Sequence, residues 1–215
     1  MARLYTVVPL WEAERLWRRR RLSLDAGSLV VEEKLDGVLA VGYGGAVYTG
    51  SGRRAPGWLL RALEEAGADL AAASRGGRLV YAEVYGRCVP GETGVHRGDE
   101  KCYRAAFLDA GMAPAHATGV GEAAALARMV QHPERLEVAE AYGLEQPRRA
   151  ILGAWAAPRE PRGLVDLLAL YPGREGIVVK LYKNMGHRLP PDHGARLRGL
   201  LAVKLRLEWF ARRWR

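Results

Sequence analysis

Ser28-Leu29-Val30-Val31-Glu32-Glu33-Lys34-Leu35-Asp36-Gly37-Val38-Leu39-Ala40-Val41-Gly42-Tyr43 is the stretch on which the reading turns. Ser28–Val31 and Val38–Tyr43 are β-branched and apolar, so each reads as a strand. Between them, Lys34 stands among the carboxylates Glu32, Glu33 and Asp36. Asp36-Gly37 favours a tight turn, which makes the pair a hairpin-like sheet with Lys34 aimed by the turn. Flanking structure that lowers the pKa of Lys34 would free its amine as a nucleophile. The plainer alternative is a solvated Lys–Glu pair at a hairpin, since short motifs recur by chance.

Three further segments bear on that choice. Leu79-Val80-Tyr81-Ala82-Glu83-Val84-Tyr85-Gly86 sets one acid in the middle of an apolar strand. Glu175-Gly176-Ile177-Val178-Val179-Lys180 opens another apolar strand with an acid and closes it with a Lys. Leu201-Ala202-Val203-Lys204-Leu205-Arg206 carries two cations two residues apart, on one face of a strand. Each alone fits an edge strand with a solvated charge. Together they supply a nucleophilic Lys, carboxylates for a divalent metal and cations for a triphosphate. Of the 33 basic residues only Lys34, Lys101, Lys180, Lys183 and Lys204 are Lys, and three of these five fall in the four segments. A generic need for positive charge, met elsewhere by Arg, does not account for that.

The order and content of the four segments resemble the covalent nucleotidyltransferase superfamily of polynucleotide ligases and capping enzymes. Lys34-Leu35-Asp36-Gly37 matches its first motif, K-x-D-G; Glu83 falls in the acidic strand of motif III; Glu175–Lys180 matches motif IV; Lys204–Arg206 resembles motif V with Arg in place of the second Lys. The resemblance implies an α+β fold, an ATP-grasp-like adenylation domain of antiparallel sheets flanked by helices. It implies that Lys34 attacks the α-phosphate of ATP, and that Glu83 and Glu175 hold Mg²⁺ or Mn²⁺. It places Lys180, Lys204 and Arg206 toward the phosphates, with Asp36 and Gly37 shaping the nucleotide loop. Arg53 or Arg54 would touch a phosphate or the ribose. Glu32 or Glu33 would read the adenine amino group. Phe107 would stack on the base, with a core position as the equal alternative. Leu39 stands where DNA ligases and capping enzymes carry an Arg, and nine residues after Arg206 are too few for an OB domain. These departures point to an ATP-dependent RNA ligase of minimal size. A DNA ligase lacking the OB domain, or a non-catalytic nucleic-acid-binding protein of the same fold, is the alternative. A protein partner would then supply the missing C-terminal domain.

Other elements follow from local pattern. Trp11–Arg21, Trp58–Ala66, Glu122–Gln131, Arg135–Ala141 and Gly163–Leu170 read as helices, with Gly67 and Pro172-Gly173 as stops. Ala46–Thr49, Leu79–Tyr85, Gly176–Leu181 and Leu200–Leu207 read as strands, and Cys102–Leu108 fits either state. Gly86–Gly98 reads as a polar loop. Strict βαβ alternation is absent, which favours α+β and one domain over residues 1–215.

Composition narrows the class. The 215 residues are 49% hydrophobic and 27% charged, which suits a globular chain with a real core. A net charge of +9 favours polyanionic partners, nucleic acid first. No apolar run approaches the roughly 20 residues that span a bilayer, so no membrane role is expected. Cys88 and Cys102 allow at most one disulfide, and a cytoplasmic setting is the simplest. His116, His132, His187 and His193 lack ligand spacing. The Arg18–Arg21 run and the tail Arg212, Arg213 and Arg215 with Trp209 and Trp214 suit a phosphate backbone and stacked bases, or a solvated basic face. Scarce amides, with Asn184 the single Asn, fit a thermophilic source or a GC-rich genome.

Overall fold

A computed structural model describes residues 4, 7–19, 28–90, 100–129, 134–153, 159–171, 175–182 and 200–206. The Arg20–Arg21 end of the first basic run, Pro172-Gly173, His132, His187, His193 and the Arg- and Trp-bearing tail lie outside these residues. The chain divides into two compact units, Met1–Tyr5 with Leu35–Pro147, and Thr6–Lys34 with Arg148–Arg215. Each carries one five-stranded sheet.

In the second unit the strands are β1 (Val8–Pro9), β2 (Ser28–Glu33), β8 (Arg149–Gly153), β9 (Gly176–Tyr182) and β10 (Leu200–Arg206), in the order β1-β10-β9-β2-β8. All pairings are antiparallel except β1 with β10. Period-two alternation gives this sheet two unlike faces. Leu29, Val31, Ile177, Val179, Leu181, Val203 and Leu205 form one apolar face. Helix α1 (Leu10–Arg18) covers it through Leu10, Ala13 and Leu16, three residues apart, joined by Leu164 of the 3-10 helix Pro161–Leu170. Burial of each large aliphatic side chain contributes about 1.5–3 kcal/mol before ordering costs. In α1, Glu12 stands in the first turn and Arg15 and Arg18 in the last, the polarity that complements the helix dipole.

In the first unit the strands are β3 (Val38–Tyr43), β4 (Ala46–Thr49), β5 (Arg78–Tyr85), β6 (Arg104–Met112) and β7 (Arg128–Met129), ordered β4-β3-β5-β6-β7 and wholly antiparallel. Gly44 and Gly45, at φ 60° and 75°, make the β3–β4 turn, a geometry closed to most other residues. Residues of α2 (Gly57–Glu65), α3 (Leu70–Ala73) and α5 (Glu134–Ala141) join Ala40, Val80, Ala82, Val84, Ala105, Phe107 and Ala110 in one apolar cluster. Helix α4 (Val120–Leu126) completes the unit. No helix among the described residues is long and apolar enough to cross a membrane.

The largest departure from the sequence reading concerns the opening stretch. Its two strands exist with nearly the expected bounds, but they are not a hairpin. β2 pairs with β8 and β9, and β3 pairs with β4 and β5. β2 takes partners more than a hundred residues on and β3 takes β4 and β5, so Lys34-Leu35-Asp36-Gly37 links two sheets. Nor is β5 or β9 an edge strand; each has neighbours on both sides. Cys102–Leu108 resolves as strand β6, and Glu122–Gln131 divides into the shorter α4 and the strand β7. β1, β7, β8 and α3 have no counterpart in the sequence reading. Cys88 and Cys102 form the one disulfide their number allows.

Candidate active site

Lys34 ends the run of β2, and its backbone amide donates to the Gly176 carbonyl at 2.9 Å. That bond sets the first and fourth motifs side by side. Gly176 is required at the contact: a Cβ there would collide with the Leu205 carbonyl oxygen and lie 2.9 Å from the Arg206 Cα. The Lys34 ammonium donates to Glu175 Oε2 at 2.7 Å, with both side chains largely shielded from solvent. Arg206 Nε lies 3.2 Å from Glu175 Oε1, so one carboxylate bridges the nucleophile candidate and a motif V cation.

The face of this sheet opposite the apolar cluster is charged. Cross-strand register runs Lys204, Val178, Glu32, Arg149 in one row and Ala202, Lys180, Val30, Ile151 in the next. Strand alternation puts Lys34 and Arg206 on the same face. Glu32 and Lys180 are each 1% exposed and form an ion pair at 2.5 Å. Lys204 and Arg206 are half-buried. Lys34, Lys180, Lys204, Arg149 and Arg206 outnumber Glu32 and Glu175, so this face carries net positive charge. Glu33, one residue on, alternates away and accepts the Arg148 amide at 3.2 Å. Tyr171 donates to the Val31 carbonyl at 3.2 Å. Burial first, then the charges of Glu33 and Glu32, holds its phenol above the ordinary tyrosine range.

In the first unit, Gly37 opens β3 against β5: a Cβ would collide with the Val84 carbonyl oxygen and lie 2.9 Å from the Tyr85 Cβ. Asp36 is half-buried beside it. Glu83 stands in register with Leu39 and Ala106. Its neighbours Ala82 and Val84 point into the apolar cluster, so Glu83 faces the other side of the sheet. Phe107 is paired with Ala82 and fully buried in that cluster, on the face away from Glu83. The expected stacking role therefore gives way to the core position. Arg53 and Arg54 are both exposed, and the Arg54 guanidinium lies over the Tyr48 ring, 4.9 Å from its centre. Arg149 is a charged residue on this face that the sequence reading passed over. No local signal marks it, because its place depends on β8 joining β2.

Most of the chain aligns with solved structures of ATP-dependent ligases. An archaeal ATP-dependent RNA ligase matches 96% of the chain with TM-score 0.56 and 17% identity, and 47% of that protein is covered. A Naegleria gruberi RNA ligase solved with ATP and Mn gives TM-score 0.53 and 12% identity over 98% of this chain and 58% of its own. The fold is that of the covalent nucleotidyltransferase ligases. An Aquifex aeolicus protein described as an ATP-dependent DNA ligase has the same ligase fold, with TM-score 0.50 and 18% identity over 93% of this chain and 48% of its own. This chain thus spans about half the length of these ligases. No protein-family model and no curated protein matches the chain.

Proposed function

We propose that this chain is an ATP-dependent polynucleotide ligase that acts through a lysyl-AMP intermediate on Lys34. The observation that carries the proposal is the Lys34–Glu175–Arg206 bridge on a cationic sheet face, within a fold shared with ATP-dependent ligases. In this reading both units belong to one adenylation domain. The Lys34 ammonium gives up a proton to solvent, and the free amine attacks the α-phosphorus of ATP. A P–N bond forms, the bond to the β-phosphate oxygen breaks, and pyrophosphate leaves. A 5′-phosphate end then takes AMP from Lys34, and a 3′-hydroxyl displaces AMP to seal the strand.

Glu175 orients the Lys34 amine, while Arg206, Lys204 and Lys180 are the cations assigned to the nucleotide phosphates. Asp36 and Gly37 shape the nucleotide loop, Arg53 or Arg54 contacts a phosphate or the ribose, and Glu32 or Glu33 reads the adenine. No group of three His, Cys, Asp or Glu side chains converges among the described residues. Mg²⁺ or Mn²⁺ can be held by a single protein carboxylate together with substrate phosphates. Glu83 and Glu175 are the carboxylates proposed. The ion would neutralise charge on the leaving pyrophosphate.

RNA ends are the favoured substrate, because Leu39 fills the position where DNA ligases carry an Arg. A DNA ligase is the competing reading. The test is intact mass after incubation with ATP and a divalent metal. One adenylyl group is expected on the wild type and none on Lys34→Arg, whose guanidinium stays protonated. A labelled arginine variant would overturn the assignment.

A further inference from the structure

Helix α1 carries a surface that the nucleotide chemistry does not use. Leu10, Ala13 and Leu16 bury its inner side. The outer side presents Trp11, Arg15 and Arg18 at i, i+4 and i+7, a single stripe along the helix, followed by exposed Arg19. Trp11 is 59% exposed, although a side chain of that size normally finds cover. The Arg15 guanidinium lies over its indole, 5.9 Å from the ring centre, and also pairs with Glu12 at 3.2 Å. The ring is thus braced on one face by a cation, with more than half of its surface left to solvent.

We propose that this stripe is a docking site for single-stranded nucleic acid, in which an unpaired base stacks on Trp11 and Arg15, Arg18 and Arg19 hold the flanking phosphates. This inference rests on the polynucleotide-ligase reading and deepens it. A stacked aromatic needs a base with a free π-face, which a duplex hides and a single strand offers. Cations at one-turn intervals match a polyanion rather than an apolar partner, and the net charge of +9 agrees. Because α1 covers the apolar face of its sheet, the stripe and Lys34 lie on opposite sides of that sheet. The stripe therefore holds a segment some nucleotides away from the reacting ends, and its contribution depends on strand length.

The experiment measures fluorescence anisotropy of the full chain with single-stranded RNA of about 6 and about 24 nucleotides, the range over which single-strand sites operate. Duplex RNA of the longer length and adenylyl-adduct formation are followed in parallel. Trp11→Ala is expected to weaken the long strand about tenfold and leave the short strand and the adduct unchanged. Arg15→Gln with Arg18→Gln is expected to lower the slope of log affinity against log salt by about 1.4. Unchanged affinity for the long strand in both variants would overturn the proposal. So would duplex RNA bound as tightly as single strand, or Trp11→Ala dissociating a self-assembled form without changing RNA affinity. A wild type that binds as expected but forms no adduct would instead remove the ligase reading and leave the stripe standing.

Discussion

Glu32 and Lys180 show how much a single pair can matter when the sheet around it excludes water. Each is 1% exposed, and the two charges meet at 2.5 Å. Removing one partner deprives a buried charge of its short ion pair, which costs up to about 3–5 kcal/mol. Glu32→Gln and Lys180→Met should each lower the unfolding free energy by that order. The joint change Glu32→Leu with Lys180→Met should recover most of the loss, because two apolar chains need no counter-charge. Urea unfolding without nucleotide checks this, and additive losses in the double variant would contradict it. Glu175 differs, because its carboxylate is shared between Lys34 and Arg206 and is proposed to meet the metal. Glu175→Gln keeps the shape and removes the charge. We expect adduct formation at limiting metal to fall by about 10–100-fold, with part of the loss regained at higher metal concentration. A wild-type rate would remove Glu175 from both roles.

Elements are held to one another by equally specific contacts. After α5 the chain returns to β6: the Glu145 amide donates to the Ala105 carbonyl and Phe107 donates to the Glu145 carbonyl, each at 2.8 Å. The Glu145 side chain takes Tyr85 at 2.8 Å and Arg104 at 2.7 Å, with Lys101 at 3.7 Å. Burial pushes this carboxyl up, but the hydrogen bonds from Arg104 and Tyr85 and the charges of Arg104 and Lys101 outweigh it and hold it below the ordinary 4.5. The folded chain thus binds this proton less readily than the unfolded chain. The stability it adds is present above the ordinary carboxylate value and is lost as pH falls through the lower folded value. Glu145→Gln should cost about 1 kcal/mol at neutral pH, since the site is partly solvated, and the gap from wild type should narrow as pH falls below the ordinary carboxylate range. Chemical unfolding across that range measures it. A gap that does not change with pH would mean that shape, not charge, makes the clamp.

For the whole molecule, the excess of basic residues sets the behaviour toward polyanions. Affinity for polynucleotide should fall linearly on a log–log salt plot, because phosphate contacts release counterions. Preference for RNA has to come from 2′-hydroxyl contacts, which phosphate attraction does not sense. Sealing of 5′-phosphorylated nicks with ribose or deoxyribose at the 3′-hydroxyl end, at several salt concentrations, separates the two. Ribose ends should be sealed faster at every salt concentration while both rates fall together. Equal or faster sealing of all-DNA nicks would favour the DNA-ligase reading.

Much of the site was legible in the sequence because its chemistry sits in short segments with characteristic residues. The candidates Lys34, Glu175, Lys180, Lys204 and Arg206 are all readable as motif positions, and strand alternation alone puts Lys204 and Arg206 on one face. Strand positions were equally readable, since β-branched runs bounded by Gly and polar residues form strands whatever their partners. Partnership was not readable. β2 and β3 look like a hairpin because a local turn is the cheapest closure, yet long-range apolar faces, Val31 with Val179 and Val203 on one side and Ala40 with Ala82 on the other, send them to different sheets. Phe107 was undecided between base and core because alternation gives a period but not which side is covered. The pairing with Ala82 decided it. Arg149 had no signal at all, for it enters the charged face only through a register between residues far apart in the chain. Local pattern determined what each segment is and which residues can do chemistry. Tertiary structure decided which segments meet, because pairing is settled by the burial of whole faces, a quantity no single stretch contains.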